Sequence, residues 1–278
     1  MSARDRCVEL APHSKSGLLL ESPVLLASGM IGYGDALPTD DLSFIGAWMT
    51  PPIGMRSHAS GRPRRVVEIP GGIVWEESGP WVSFPGVLRR YAPLWDRLGR
   101  PVLARLWGPF DEQAEIAAQM TQIAPVAGIA VTPDEQLGAD GAAELIRLVR
   151  RQAEKPLLVA LPLASDIADW AIIAREAGAD ALIVGMPPLA QARDEDGSPV
   201  PGRLYGPTLW PLTMRALSAV SGLELDVPLV AAGGLHRPED ALEAFRLGAS
   251  AVMIDTAIWV IPDLPKRILR LWEDERNA

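Results

Sequence analysis

Asparagine is missing from this chain until its penultimate residue, Asn277, and lysine occurs only as Lys15, Lys155 and Lys266. A site built on side-chain amides or ammonium groups has almost no material here. Cys7 is the single cysteine, which excludes an internal disulfide and a cysteine metal cluster. The three histidines, His13, His58 and His236, lie far apart and show no ligand spacing, so no metal is expected. No apolar run approaches the roughly 18 residues of a membrane helix. The first residues, Met-Ser-Ala-Arg-Asp-Arg-Cys, lack an apolar signal core. The expected location is the cytoplasm, without membrane insertion. A formal net charge of −9 and the lack of a basic stripe argue against nucleic acid and anionic membrane surfaces as partners.

What is present is apolar and periodic. Hydrophobic residues make up 48% of the 278, ample for a large core. Short β-prone runs occur at Val24–Ala27, Phe44–Thr50, Val102–Leu106, Ile129–Val131, Leu157–Leu161, Ala181–Val184, Leu229–Ala232 and Ala251–Ile254. Amphipathic stretches lie between most of them, at Asp111–Ile123, Gly141–Ala153, Ile167–Ala177, Leu209–Val220 and Arg237–Leu247. Near-continuous apolar strands fit a parallel sheet covered on both faces. Eight such strands alternating with helices predict an α/β fold, a (β/α)8 barrel spanning residues 1–278 as one domain. A doubly wound open sheet is the alternative. Residues 66–75 predict a hairpin turning at Gly71-Gly72, an excursion after the second strand. Residues 185–207 read as a second long loop, rich in Pro, Gly, Asp and Arg. Pro265–Glu275 reads as a closing amphipathic helix.

Several segments together carry a family resemblance. They are Ser22-Pro23-Val24-Leu25-Leu26-Ala27-Ser28-Gly29, Arg64-Arg65-Val66-Val67-Glu68-Ile69-Pro70-Gly71-Gly72, Phe84-Pro85-Gly86, Leu204-Tyr205-Gly206-Pro207, Ala232-Gly233-Gly234-Leu235 and Gly248-Ala249-Ser250-Ala251-Val252. In this order and spacing the chain resembles the dihydroorotate dehydrogenase family, class 1 branch. The resemblance implies a (β/α)8 barrel with an N-terminal strand pair. It also implies FMN at the C-terminal face and oxidation of dihydroorotate to orotate in pyrimidine biosynthesis. The implied flavin contacts are Ala27, Ser28, Gly206, Gly233, Gly234 and Thr256. Thr132 stands at the position of the catalytic base.

The same resemblance shows what has been replaced. The family's Thr-Lys after strand two is Thr50-Pro51 here, and its Val-Lys-Leu on strand five is Val159-Ala160-Leu161. Both flavin-facing lysines are gone. Asparagines that bind substrate align with Trp75, Phe84, Arg105 and Ile129. Thr132 is a poor base with no histidine evident beside it. The phosphate glycine of Gly-Thr-Ala becomes Asp255-Thr256-Ala257. At about 4 Å and an effective dielectric of about 20, one carboxylate charge repels one phosphate charge by roughly 4 kcal/mol.

These replacements favour a barrel without FMN or dihydroorotate oxidation, acting as a structural, regulatory or partner subunit. An FMN-dependent oxidoreductase with a divergent site is the alternative. A third reading is a barrel enzyme for another ligand, using Asp134, Asp255, Arg105 or Thr132. Three expectations follow for the structure. Arg105 and Asp255 share an ion-pair network at the barrel mouth. At least two of Trp75, Phe84, Arg105 and Trp107 fill the flavin volume. Trp75, Trp81, Trp95 and Trp210 pack a cap or anchor a homodimer or hetero-oligomer contact.

Overall fold

A computed structural model describes residues 6–37, 41–57, 64–76, 81–163 and 166–277. His58 lies outside these residues. The chain opens with β1 (Val8–Glu9) and β2 (Leu19–Leu20), an antiparallel pair. Then follow β3 (Val24–Leu26), β4 (Ala47–Met49) and a hairpin of β5 (Val66–Ile69) and β6 (Gly72–Trp75). Two short helices, α1 (Phe84–Arg90) and α2 (Ala92–Leu98), lead to β7 (Val102–Arg105). Strand and helix then alternate: α3 (Phe110–Met120), β8 (Val126–Val131), α4 (Gly138–Gln152), β9 (Leu157–Pro162), α5 (Ile167–Glu176) and β10 (Ala181–Met186). A second hairpin, β11 (Leu189–Arg193) and β12 (Pro199–Tyr205), precedes α6 (Trp210–Ser221) and β13 (Leu229–Ala232). The chain ends with α7 (Pro238–Arg246), β14 (Ala251–Ile254), α8 (Ala257–Val260) and α9 (Leu264–Asn277).

Eight strands close a parallel barrel in the order β3, β4, β7, β8, β9, β10, β13, β14. The (β/α)8 expectation holds and the open sheet is excluded. Closure follows from the sequence of the strands. Each is apolar on both faces, so one face packs under helices and the other fills the barrel. The interior is lined by small and medium residues, among them Leu25, Ala47, Met49, Leu103, Ala130, Leu158, Ala160, Ala181, Ile183, Val230 and Ala251. The β1–β2 pair plugs one end of this interior with Leu10, Leu18 and Leu20, all buried. The outer layer is a second, larger core between strands and helices.

Two details differ from the sequence reading. The first hairpin turns at Pro70-Gly71, one residue earlier than expected, because Ile69 pairs with Gly72. Proline supplies the fixed φ at the first corner, and Gly71, at φ 84°, supplies the positive φ at the second. Residues 185–207 are not an unpaired loop. They form the β11–β12 hairpin, and β12 pairs with β6 to make a four-stranded antiparallel arm, β11-β12-β6-β5. The arm lies beside the C-terminal ends of the barrel strands, where it bounds the site.

Candidate functional site

The barrel mouth holds a small cavity of about 60 Å³. Its floor is the top interior layer of the barrel: Met49 from β4, Ala160 from β9, Ile183 from β10, Ala232 from β13 and, beyond Val252, Met253 from β14. Polar groups ring it from different strand ends. Ala27 and Ser28 follow β3, Arg105 ends β7, Thr132 follows β8, Gly233 follows β13 and Asp255 follows β14. Arg203 and Tyr205 reach in from β12 of the arm. A second chamber of about 30 Å³ shares Ser28, Arg105, Arg203 and Tyr205, and adds Arg64, Trp75, Glu76 and Trp81.

Local bonds fix these side chains. Arg105 Nη1 donates to Ser28 Oγ at 3.2 Å, and Ser28 Oγ donates to the Thr50 carbonyl at 2.8 Å. The Arg105 backbone N–H donates to Thr50 Oγ1 at 3.1 Å. Arg203 Nη1 donates to the Pro187 carbonyl at 2.7 Å and lies 3.7 Å from Glu135 Oε1. Glu76 is buried and paired with Arg65 at 3.1 Å. Above the outer chamber the Arg64 guanidinium lies 5.5 Å from the Trp75 ring centre and 5.3 Å from that of Trp81. Trp75 also meets Tyr205 at 5.8 Å and Trp259 at 5.1 Å.

Asp255 is almost fully buried. Its Oδ2 accepts the Gly234 N–H at 3.3 Å, and its Oδ1 accepts the Thr256 hydroxyl at 3.4 Å. Burial pushes its carboxyl above the ordinary value of 3.8; the bonds from Gly234 and Ala257 and the nearby His236 oppose the rise.

Of the residues the resemblance singles out, Ala27, Ser28, Thr132 and Gly233 line the cavity. Gly234 and Thr256 bind Asp255 instead of facing open space. Gly206 begins the turn before α6 at φ 133°, packed on the backbone of Gly71 and Gly72. The glycines have structural reasons of their own. A Cβ on Gly234 would lie 2.4 Å from the Trp210 nitrogen, and one on Gly233 2.4 Å from the Gly185 carbonyl oxygen. Their retention therefore needs no phosphate to account for it.

Two expectations need correction. Asp255 and Arg105 line one cavity but form no ion pair, because the Asp255 oxygens turn toward the Gly234 and Thr256 side. Of the four bulky side chains expected at the mouth, Trp75 and Arg105 line these chambers, whereas Phe84 is core at the start of α1 and Trp107 packs tilted on Trp81 at 5.2 Å and is 48% exposed. Trp95 and Trp210 are buried in the core rather than presented outward. Trp95 Nε1 donates to the Tyr33 carbonyl at 2.8 Å. The sequence reading missed Arg203 and Tyr205, because their strand was not recognised as one. Among the described residues no group of histidine, cysteine, aspartate or glutamate has metal-site geometry, and no helix is long and apolar enough to cross a membrane.

Comparison with known proteins agrees with the barrel and its strand-end loops. The family model described as "Dihydroorotate dehydrogenase" matches residues 114–274, more than half of the chain. A protein of Geobacter sp. (strain M21), named "Dihydroorotate dehydrogenase B (NAD(+)), catalytic subunit", is 33% identical over 93% of this chain and 90% of its own length. Proteins of the same name from Geotalea daltonii and Citrifermentans bemidjiense are each 32% identical, over 99% and 93% of this chain and 94% and 90% of theirs. With the family model, the identity and the closed barrel in agreement, the chain belongs to the dihydroorotate dehydrogenase family.

Proposed function

We propose that this chain is a dihydroorotate dehydrogenase-family barrel, one domain over residues 1–278, that does not use FMN and does not oxidise dihydroorotate. It serves as a structural, regulatory or partner subunit. The observation that carries this reading is Asp255 on the Gly234 N–H, the backbone donor that the resemblance assigns to the flavin phosphate. An internal carboxyl group already satisfies that donor, which leaves it unavailable to a phosphate. Two further features support the reading. The cavity of about 60 Å³ is well below the ~300 Å³ or more usual for a cofactor-sized ligand. Its floor carries Ala160 where the resemblance places a lysine for the flavin ring. A cation there would stabilise the reduced ring, and neither Ala160 nor Pro51 can.

The relatives' names favour a second reading, an FMN-dependent oxidoreductase of pyrimidine biosynthesis. They are called catalytic subunits and match this chain along almost its whole length. In that reading Ala27, Ser28, Gly206, Gly233, Gly234 and Thr256 hold the flavin and Thr132 takes the proton. The word "subunit" in those names also supports an oligomer, with itself or with a second chain, under either reading.

The deciding experiment is the absorbance spectrum of the purified chain, followed by titration with FMN and an assay of orotate formation from dihydroorotate. We expect no flavin band, no uptake and no orotate. A yellow protein, or orotate formed in proportion to protein, establishes the second reading.

A further inference from the structure

The antiparallel arm does more than border the barrel mouth. We propose that its outer hairpin, β11–β12, is a lid, that Arg65 holds it shut, and that swinging it away from β6 opens the barrel floor to a ligand.

The two chambers of the mouth meet along Ser28, Arg105, Arg203 and Tyr205. The first two come from barrel strand ends and the last two from β12. Displacing β12 therefore removes a wall from both chambers at once and joins them. With the hairpin in place the chambers measure about 60 and 30 Å³, far below the ~300 Å³ of a ligand-sized pocket.

The seam that holds the hairpin is narrow. β12 meets β6 at Arg203 on Trp75, Leu204 on Val74 and Tyr205 on Ile73. β11 is an outer edge of the arm and contains no buried residue, while β12 buries Val200 and Gly202. A unit with so little apolar burial opens at lower cost than β9, β10, β13 and β14, which are buried throughout. The hairpin joins the rest of the chain through Pro187-Pro188 on one side and Gly206, at φ 133°, on the other.

Arg65 reinforces this seam. It precedes β5 on the inner hairpin, and its guanidinium spans both hairpins. Nη2 and Nε donate to the Glu76 carboxylate, just after β6, at 3.1 and 3.5 Å. Nη1 donates to Asp194 Oδ2 at 2.9 Å, in the turn after β11, and Nη2 donates to the Pro199 carbonyl at 3.4 Å. The other Asp194 oxygen accepts the Ser198 N–H at 2.9 Å and fixes that turn. One cation thus sits between carboxylates of two hairpins. Without it, Glu76 and Asp194 are left as like charges on the two sides of the seam, which favours separation. Lysine is a poor substitute, because an ammonium lacks the planar fork that serves Glu76 and Asp194 together. The flavin-free reading rests on Asp255 at Gly234, both in the barrel, so it stands or falls separately from the lid.

The test combines hydrogen exchange of the full-length chain, read by mass spectrometry, with thiol labelling of Ala160→Cys on the barrel floor. The labelling variants also carry Cys7→Ser, and the reagent is methyl methanethiosulfonate. Ala181→Cys, in the closed barrel interior, is the control. In the wild type we expect β12 amides to exchange at least about tenfold faster than those of β13. Arg65→Ala should speed both β12 exchange and labelling at position 160 by about tenfold or more, with position 181 still unreactive. Arg65→Lys should fall between. Equal exchange of β12 and β13 in the wild type overturns the proposal. So does an Arg65→Ala variant with unchanged labelling at position 160, or one that exposes positions 160 and 181 alike. If Arg65→Ala does not fold, the wild-type exchange and Arg65→Lys decide the matter.

Discussion

The carboxylate of Asp255 sits on the backbone N–H of Gly234, at 3.3 Å, across the gap between the last two barrel strands. One residue of the chain thereby satisfies a donor that the family pattern leaves for a ligand. The contact is buried and gains a further bond from the Thr256 hydroxyl.

Restoring one lysine should not restore a flavin. Ala160→Lys places an ammonium on the cavity floor, yet Asp255 still occupies the Gly234 N–H. We expect the variant to stay colourless when FMN is added, whereas Ala160→Lys with Asp255→Gly should show measurable uptake. Flavin fluorescence quenching measures both. Uptake by the single variant means the phosphate side was never closed.

The stability of the protein should carry the titration of Asp255. Its folded carboxyl is raised above 3.8 by burial, so the neutral form suits the fold and the charged form does not. The contribution is complete below that ordinary value and is lost as pH rises through the folded value. Relative to Asp255→Asn, the wild type should therefore lose stability as pH rises from 4 toward 8, at no more than about 1.4 kcal/mol per pH unit. Urea midpoints across that range give the slope. A wild type that gains on the variant with rising pH contradicts the assignment.

Gly234→Ala should destabilise the fold whether or not any ligand is present. The residue has φ 81°, and an added Cβ would meet the Trp210 nitrogen at 2.4 Å. Strain of this kind costs about 2 kcal/mol or more. Chemical denaturation in ligand-free buffer checks it. A variant as stable as the wild type would falsify the structural account of this glycine.

The tryptophans should separate by depth. Trp95 is completely buried, packs edge-on against Trp48 at 6.1 Å and donates to the Tyr33 carbonyl. Trp95→Ala should cost about 3–5 kcal/mol. Trp107 is 48% exposed and keeps one ring contact, with Trp81, so Trp107→Ala should cost less than about 1 kcal/mol. Paired denaturation curves compare them. Sizing of the Trp107 variant beside the wild type tests whether its exposed ring anchors a second chain.

The barrel was legible in the sequence. Eight apolar runs, each too short for a helix and too continuous for a half-exposed strand, have few places to go except a closed parallel sheet. Helix-ending glycines such as Gly178 and Gly248, both at positive φ, mark where strands begin. The absence of lysine and asparagine from the mouth was equally legible, since a missing residue type cannot be supplied by folding. The arm was not. Pro199-Val200-Pro201-Gly202 reads as a loop, because proline and glycine weaken any strand signal. β12 pairs with β11 in a hairpin and, at Arg203–Tyr205, with β6, from a segment more than a hundred residues earlier. Arg203 therefore enters the site through tertiary pairing, beyond the reach of local pattern. The direction of Asp255 was likewise undecided by sequence, which placed the carboxylate at the mouth but not its partner. A buried carboxylate turns to the donors within reach, and here it bonds to Gly234 and Thr256 rather than to Arg105. The sequence determined the barrel and which residue types its mouth lacks; the tertiary structure decided which groups meet there, because strand pairing over long separations and side-chain direction depend on distant neighbours.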